Sequence, residues 1–416
     1  MDIAKNACVT IAEGKEKQLL RHHPWVFSGA IAKMEDMDVL QNGVGIVSVV
    51  TYKGAFIAYG WYDSRSHISL HLLSWDSGIV PDDSWWSRMV KESVRRRASF
   101  FQGGGRRTNA LRLVHGEADF IPGFAIDVYG TTIRCIVSAR IAWDHRAVVV
   151  DTLIKLLKPD LVLVSTDSAF CGIEQLSETT EWYSADGVLF NPQEVAPQRF
   201  RENGLVYSII PGTGQKSGFF CDQRENRMRV AAYAEGEAVL DAFCYTGGFS
   251  LNALRGGAVS VDAVDASESA LEQLQANLRL NTASERIPAD SEEKVKVCKA
   301  DVFEYLRAME DGKYGLIVLD PPKLARTRNQ VEAAEKAYKD INRLAIQKVK
   351  KGGVVATFSC SGSITRERFR TIIAWAAKDA GREVQILETL GQGMDHPVRL
   401  SFPESEYLKG FILRVI

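Results

Sequence analysis

The sequence predicts an α/β protein whose C-terminal half is a doubly wound, mostly parallel sheet, preceded by a small β domain and a central α+β domain. Three observations lead there. From about residue 205 strand-like and helix-like segments alternate, the pattern of a parallel sheet covered by helices. Before residue 78 the apolar runs are short and β-rich, with Gly and polar residues between them. Between these regions the pattern is mixed. The expected domains are 1–78, 79–198 and 199–416, close to the three that a chain of this length suggests at roughly 150 residues each.

In the first domain Val44–Val50 and Ala55–Gly60 read as strands, and Ile68, Leu70 and Leu72 alternate with Ser69, His71 and Leu73. Such a set forms a small barrel or sandwich. His67 and His71 are four apart, but on a strand that places them ~13 Å apart along one face, too far to share a metal. Ser84 to Phe101 reads as a helix with Ser84 as N-cap. In the central domain Thr132–Val137 and Leu161–Val164 are strands and Ala147–Leu157 is an amphipathic helix. The C-terminal strands are Ala238–Asp241, Val259–Val264, Val295–Val297, Gly315–Leu319 and Gly353–Phe358. The helices between them are Phe249–Leu254, Ser267–Asn281, Val302–Met309 and Glu332–Lys348. Ligands of such sheets sit beyond the carboxyl ends of the strands.

Composition narrows the function. Hydrophobic residues make up 46% and charged residues 25%, which excludes a long disordered chain. The net charge of −1 argues against a globally basic nucleic-acid coat protein. Between Arg88 and Arg112, however, eight basic residues face one acid, Glu92. This stretch is either a solvated helix face or a phosphate-tracking surface, with Arg95, Arg96, Arg97, Arg106 and Arg107 as its RNA-contact candidates. No apolar run reaches the roughly 20 residues of a membrane helix, and the first residues lack a signal pattern, so a cytoplasmic protein is expected. The seven cysteines are scattered without a CxxC pair, so neither a zinc site nor a disulfide framework is expected.

The cofactor signal lies at the strand ends. After the first C-terminal strand comes Asp241-Ala242-Phe243-Cys244-Tyr245-Thr246-Gly247-Gly248. The Gly pair lets the backbone turn sharply and approach a ligand, but the run fits neither GxGxxG nor the P-loop. Asp265 ends the second strand, where a carboxylate can accept from both ribose hydroxyls. Asp301 and Val302 follow the third strand, where an acid can meet an adenine amino group, and Asp320-Pro321-Pro322-Lys323 follows the fourth. An acid at a strand end is often only a helix cap. Four in order point to S-adenosylmethionine.

Further motifs carry a family resemblance. They are Gly214-Gln215-Lys216-Ser217-Gly218-Phe219-Phe220-Cys221-Asp222-Gln223-Arg224, Asp320-Pro321-Pro322-Lys323, Tyr338-Lys339-Asp340-Ile341-Asn342, Phe358-Ser359-Cys360-Ser361-Gly362, Asp395-His396-Pro397-Val398 and Glu406-Tyr407-Leu408-Lys409-Gly410-Phe411. The chain resembles the RlmI-like ribosomal RNA large-subunit methyltransferases. The stretch from Gly14 to Gly29 is similar to the opening of their PUA domain, and Cys221 stands where an aliphatic residue is commoner. The resemblance implies an N-terminal PUA-like β-barrel for RNA binding, a central α+β domain and a C-terminal class I methyltransferase domain of Rossmann-like fold. It implies formation of 5-methylcytidine in 23S ribosomal RNA or an assembly intermediate, and allows a homodimer. It also implies that Phe220, Asp222, Gln223, Arg224, Asp241, Phe243, Tyr245, Thr246, Gly247, Asp265, Asp301, Val302 and Asp320 hold the cofactor.

Cytosine C5 is a poor nucleophile. A thiolate adding to C6 makes C5 enamine-like. Cys360, just after the last parallel strand, is the cysteine best placed for this, whereas Cys244 inside the cofactor loop reads as packing. Asp320 can hydrogen-bond the N3 edge and stabilise the ring as charge develops. Lys323 stands where amino-group methyltransferases carry a stacking aromatic, which favours carbon methylation, and it is a further RNA-contact candidate. The base that removes the C5 proton is not readable. His396 is a candidate, although a His beside Pro is more often structural. A guanine-N7 methyltransferase would need no thiol. A non-catalytic RNA-binding assembly factor would not need Asp241, Gly247, Asp265 and Asp301 together.

Overall fold

In the computed structural model the described residues are 7–101, 107–212, 218–325 and 330–416. Arg106 and residues 214–217 of the Gly-Gln-Lys-Ser motif lie outside them. The chain forms two compact units. One comprises residues 1–104, 111–196 and 395–405, and the other 105–110, 197–394 and 406–416.

The first unit carries two six-stranded sheets. The strands of one run between Cys8 and Ser74, and it is antiparallel except where Cys8–Ile11 meets Val44–Val50. Val9, Ile11, Val47, Val49, Ile57 and Leu70 fill its core. The other runs between Ala110 and Phe190 and packs on helices Asp83–Arg96 and Arg146–Leu157 through Trp86, Val90, Val149 and Leu153.

Two expectations change here. The helix begins at Asp83, and its cap is Asp82, whose carboxylate accepts from Trp85 N at 2.8 Å; the Ser84 hydroxyl donates to that same carboxylate. A carboxylate is the stronger acceptor at a helix N-terminus. The basic stretch is also not one surface. Arg97 is 3% exposed, with both guanidinium edges on Asp119 at 2.6 Å and a further bond to the Asp395 carbonyl. Arg97 is therefore a buried tie rather than an RNA contact. Arg112 is paired with Asp127, and Arg96 is half-turned onto Asp119. Arg95 and Arg107 are exposed.

The second unit holds a seven-stranded sheet, with an antiparallel hairpin, Gln198–Glu202 and Leu205–Ile209, in the same unit. In chain order its elements are β1 (Ala238–Ala242), α1 (Gly248–Arg255), β2 (Ser260–Asp265), α2 (Glu268–Ala283), β3 (Val295–Lys299), α3 (Val302–Ala308), β4 (Leu316–Leu319), α4 (Val331–Lys348), β5 (Val354–Ser359), α5 (Arg366–Ala380), β6 (Val384–Gly391) and β7 (Lys409–Val415). The spatial order is β3-β2-β1-β4-β5-β7-β6. The first five strands are parallel, and β7 inserts antiparallel between β5 and β6. The central strands β4 and β5 are buried along their whole length, as a sheet covered on both faces requires. Polar side chains start the helices: Ser267 accepts from Ala270 N, Asp301 from Glu304 N and Thr365 from Arg368 N. All five parallel strands therefore deliver their carboxyl ends, and the loops after them, to one edge of the sheet.

Candidate active site

The loop after β1 is held in an unusual backbone shape. Phe243 and Tyr245 have φ of 65° and 49°, and Gly247 has 84°. Left-handed aromatics are uncommon and persist only where surrounding bonds hold them. Tyr245 N donates to Asp265 Oδ2 at 3.0 Å, and Cys244 N to the Val264 carbonyl at 3.0 Å. At Gly247 a Cβ would lie 2.6 Å from Leu274 Cγ, so the turn closes against α2 only without a side chain. Gly247 caps α1, and Ser250 of that helix donates N–H and O–H to Asp241 Oδ2 at 2.8 and 2.6 Å. Burial pushes the Asp241 carboxyl up to about 6.

Asp320 follows β4. Burial, then the neighbouring Asp222 carboxylate, pushes it up to about 7. Gln223 donates to its Oδ1 at 2.9 Å, and Asn226 donates to Gln223 Oε1 at 2.6 Å and to the Gly391 carbonyl at 2.8 Å. Asp222 Oδ2 accepts from the Tyr407 hydroxyl at 2.5 Å.

Cys360 follows β5, the strand beside β4, and is partly exposed. The residues around it are fixed. Ser361 Oγ accepts from Ala325 N at 3.2 Å and bonds the Tyr338 hydroxyl at 3.1 Å. Lys409 Nζ donates to the carbonyls of Ser361 and Tyr407 at 2.7 and 2.8 Å. Tyr407 thus joins the two clusters, with its hydroxyl on Asp222 and its carbonyl on Lys409. Burial pulls the Lys409 ammonium down to about 8, and burial followed by the nearby Cys360 holds the Tyr338 hydroxyl up at about 12.

The structure gathers most of the expected residues at this edge. Asp265 accepts from Tyr245 N and Ser267 N and, with four lone-pair positions, keeps room for more donors. Asp301 caps α3, and Val302 is buried in that helix. The Phe220 ring lies 5.4 Å from that of Tyr245, and Thr246 is buried with its carbonyl on Asn277. Lys323 is exposed. Cys244 is buried, which pushes its thiol well above the usual range, as a packing residue.

Arg224 departs from expectation: its guanidinium engages Glu225 and the Ala110 carbonyl, a scaffold contact. His396 is 2% exposed, with its ring on Asp395 at 3.0 Å. Asn226, Tyr407 and Lys409 carry roles that the sequence did not assign. The Glu406–Phe411 motif contained two of them.

These residues fit S-adenosylmethionine. Among the described residues, two buried carboxylate oxygens, Asp222 Oδ1 and Asp241 Oδ1, have no hydrogen-bond donor. A ligand bearing an ammonium and hydroxyl groups supplies such donors.

Comparison with known proteins agrees. Residues 9–75 match a PUA-like domain and residues 177–384 match the S-adenosylmethionine-dependent methyltransferase family. The chain is 36% identical, over 98% of its length and 98% of the relative's, to ribosomal RNA large subunit methyltransferase I of Shigella dysenteriae. It is equally similar to the protein of that name from Escherichia coli O139:H28, covering 99% of it. Among solved structures, a putative methyltransferase from Streptococcus mutans superposes with a TM-score of 0.78 at 20% identity, with 98% of this chain and 100% of that one covered. A putative methyltransferase complexed with SAH gives 0.80, again at 20% identity and with the same coverage. No described helix is long and apolar enough to cross a membrane.

Proposed function

This chain belongs to the ribosomal RNA large subunit methyltransferase I family of S-adenosylmethionine-dependent methyltransferases, and from that premise we propose that it forms 5-methylcytidine in 23S ribosomal RNA through a Cys360 adduct. The supporting observation is the placement of Cys360 and Asp320 after adjacent strands, with the Asp320 carboxyl held up at about 7.

S-adenosylmethionine supplies an electrophilic methyl group. The chain supplies the rest. Asp222, Asp241, Asp265 and the backbone of the Phe243–Gly247 loop hold the cofactor. Protonated Asp320 donates to cytosine N3 as the Cys360 thiolate forms a bond to C6. The C5=C6 π electrons then reside on C5, which takes the methyl. A water molecule takes the C5 proton, whose bonding electrons restore the double bond and expel the thiolate from C6, while the N3 proton returns to Asp320. A cytosine in paired RNA hides C6, so the substrate base must be flipped or unpaired. Arg107 and Lys323 of the second unit, both exposed, are the proposed contacts to flanking phosphates, and exposed Arg95 is the RNA-contact candidate of the first.

The test is incubation of the protein with unmodified ribosomal RNA and labelled S-adenosylmethionine, with the product nucleoside identified by mass spectrometry. 5-Methylcytidine is expected, and 7-methylguanosine overturns the reading.

A further inference from the structure

We propose that Lys409 is the positioning residue that keeps Cys360 as its thiolate, its ammonium serving as the counter-cation of the sulfur. The proposal rests on the nucleophile reading above. Lys409 sits opposite Ser359 in the β5–β7 pairing, and its side chain reaches along the chain to the Ser361 carbonyl. Lys409 thus pairs through its backbone with the residue before Cys360 and through its ammonium with the residue after it.

The bonding of that ammonium calls for an anion. Nζ spends two of its three N–H groups on neutral carbonyls, and the residue is 3% exposed. Among the described residues no carboxylate forms an ion pair with it, and the nearby Glu406 is paired with Arg366 at 2.8 Å. A buried cation served only by carbonyls is unfavourable unless an opposite charge lies near. Among the described residues, the groups that act on it most are Cys360 and Glu406, which favour its charge, and Arg366 and Lys323, which oppose it; Cys360 is the strongest of the four. The interaction is mutual, so the ammonium favours the thiolate over the thiol. Tyr338, a further titratable group close to Cys360, stays neutral and bonds Ser361. The thiol proton leaves to solvent, and the ammonium keeps its three.

If Lys409 merely tied β7 to the loop after β5, its charge would not matter to the sulfur. Iodoacetamide alkylation of the full-length protein across pH, read on the Cys360 peptide by mass spectrometry, separates the two roles without using turnover. The wild-type midpoint is expected well below the ~8.5 of a free thiol. Lys409→Met should raise it by roughly one pH unit or more, a tenfold loss of thiolate at a fixed acidic pH. Lys409→Arg should keep it low. A wild-type midpoint at or above the free-thiol value overturns the proposal, as does an unmoved midpoint in Lys409→Met. If Lys409→Met does not fold, the wild-type and Lys409→Arg midpoints still decide. Failure of the nucleophile reading looks different: turnover survives Cys360→Ala whatever the alkylation profile.

Discussion

Gln223 donates its side-chain amide to Asp320 Oδ1 at 2.9 Å, and Asn226 fixes the orientation of that amide. This bond favours the ionised form of Asp320, against the burial that favours the neutral one. In the proposed mechanism neutral Asp320 is the active form, so kcat/KM falls as pH rises through about 7. Gln223→Ala removes the bond and should move that alkaline limb upward by roughly half to one pH unit. A pH–rate profile of the variant checks it, and a downward shift contradicts the assignment.

Asp320 also links pH to stability. Its folded carboxyl holds a proton to about 7, whereas an unfolded one ionises near 3.8. Between these values the folded state binds more protons, so this group's stabilising contribution is complete at low pH and is lost as pH rises through that window. Asp241, held up to about 6, acts in the same sense. Asp320→Asn does not titrate. Wild type should therefore lose on the order of 3–4 kcal/mol relative to that variant between the two pH values, measured by denaturant unfolding.

Cys360→Ala should lower turnover by roughly a thousandfold or more. Affinity for S-adenosylmethionine should stay within a factor of about two, because the cofactor-loop contacts do not involve this side chain. Single-turnover assays and calorimetric cofactor titration give the two numbers.

Gly247→Ala puts a side chain at φ 84° and 2.6 Å from Leu274 Cγ. The variant should be less stable by roughly 1–3 kcal/mol and bind the cofactor more weakly, since the turn cannot hold both shape and packing. Wild-type melting and affinity would show that α2 yields at this point.

Arg97→Ala leaves the Asp119 carboxylate buried without its bidentate partner and should cost about 3–5 kcal/mol. Arg95→Ala, at an exposed pair with Glu92, should change stability by less than about 0.5 kcal/mol. If Arg95 touches RNA, its removal should instead flatten the dependence of RNA binding on salt. Thermal unfolding and salt titrations separate the two arginines.

The parallel strands were legible because they are short β-rich runs, and the first four carry an acid at or within two residues of their carboxyl ends. Asp241, Asp265, Asp301 and Asp320 could be placed in order for the same reason. β6 is hard to read as a strand because Val384–Gly391 is half exposed and lacks a continuous apolar signal; β7 is buried in all but one residue, and its apolar Phe411-Ile412-Leu413 is short. Charge patterning misled at Arg97, because local sequence cannot show that Asp119 and the Asp395 carbonyl lie opposite it. Lys409 was hidden by the same limit: its neighbours come from residues 48 positions away. Long-range pairing decides which polar groups are buried together, and no local pattern records it.

Residues 395–405 belong to the first unit although the chain has by then built most of the second. Arg112 N reaches Asp395 Oδ2 at 2.7 Å, and Arg399 bonds the carbonyls of Glu117 and His22. During synthesis, then, the first unit cannot acquire its last segment until the sheet of the other has largely emerged from the ribosome. The first unit is therefore completed late, and a fragment stopped near residue 196 would expose the places that this segment fills.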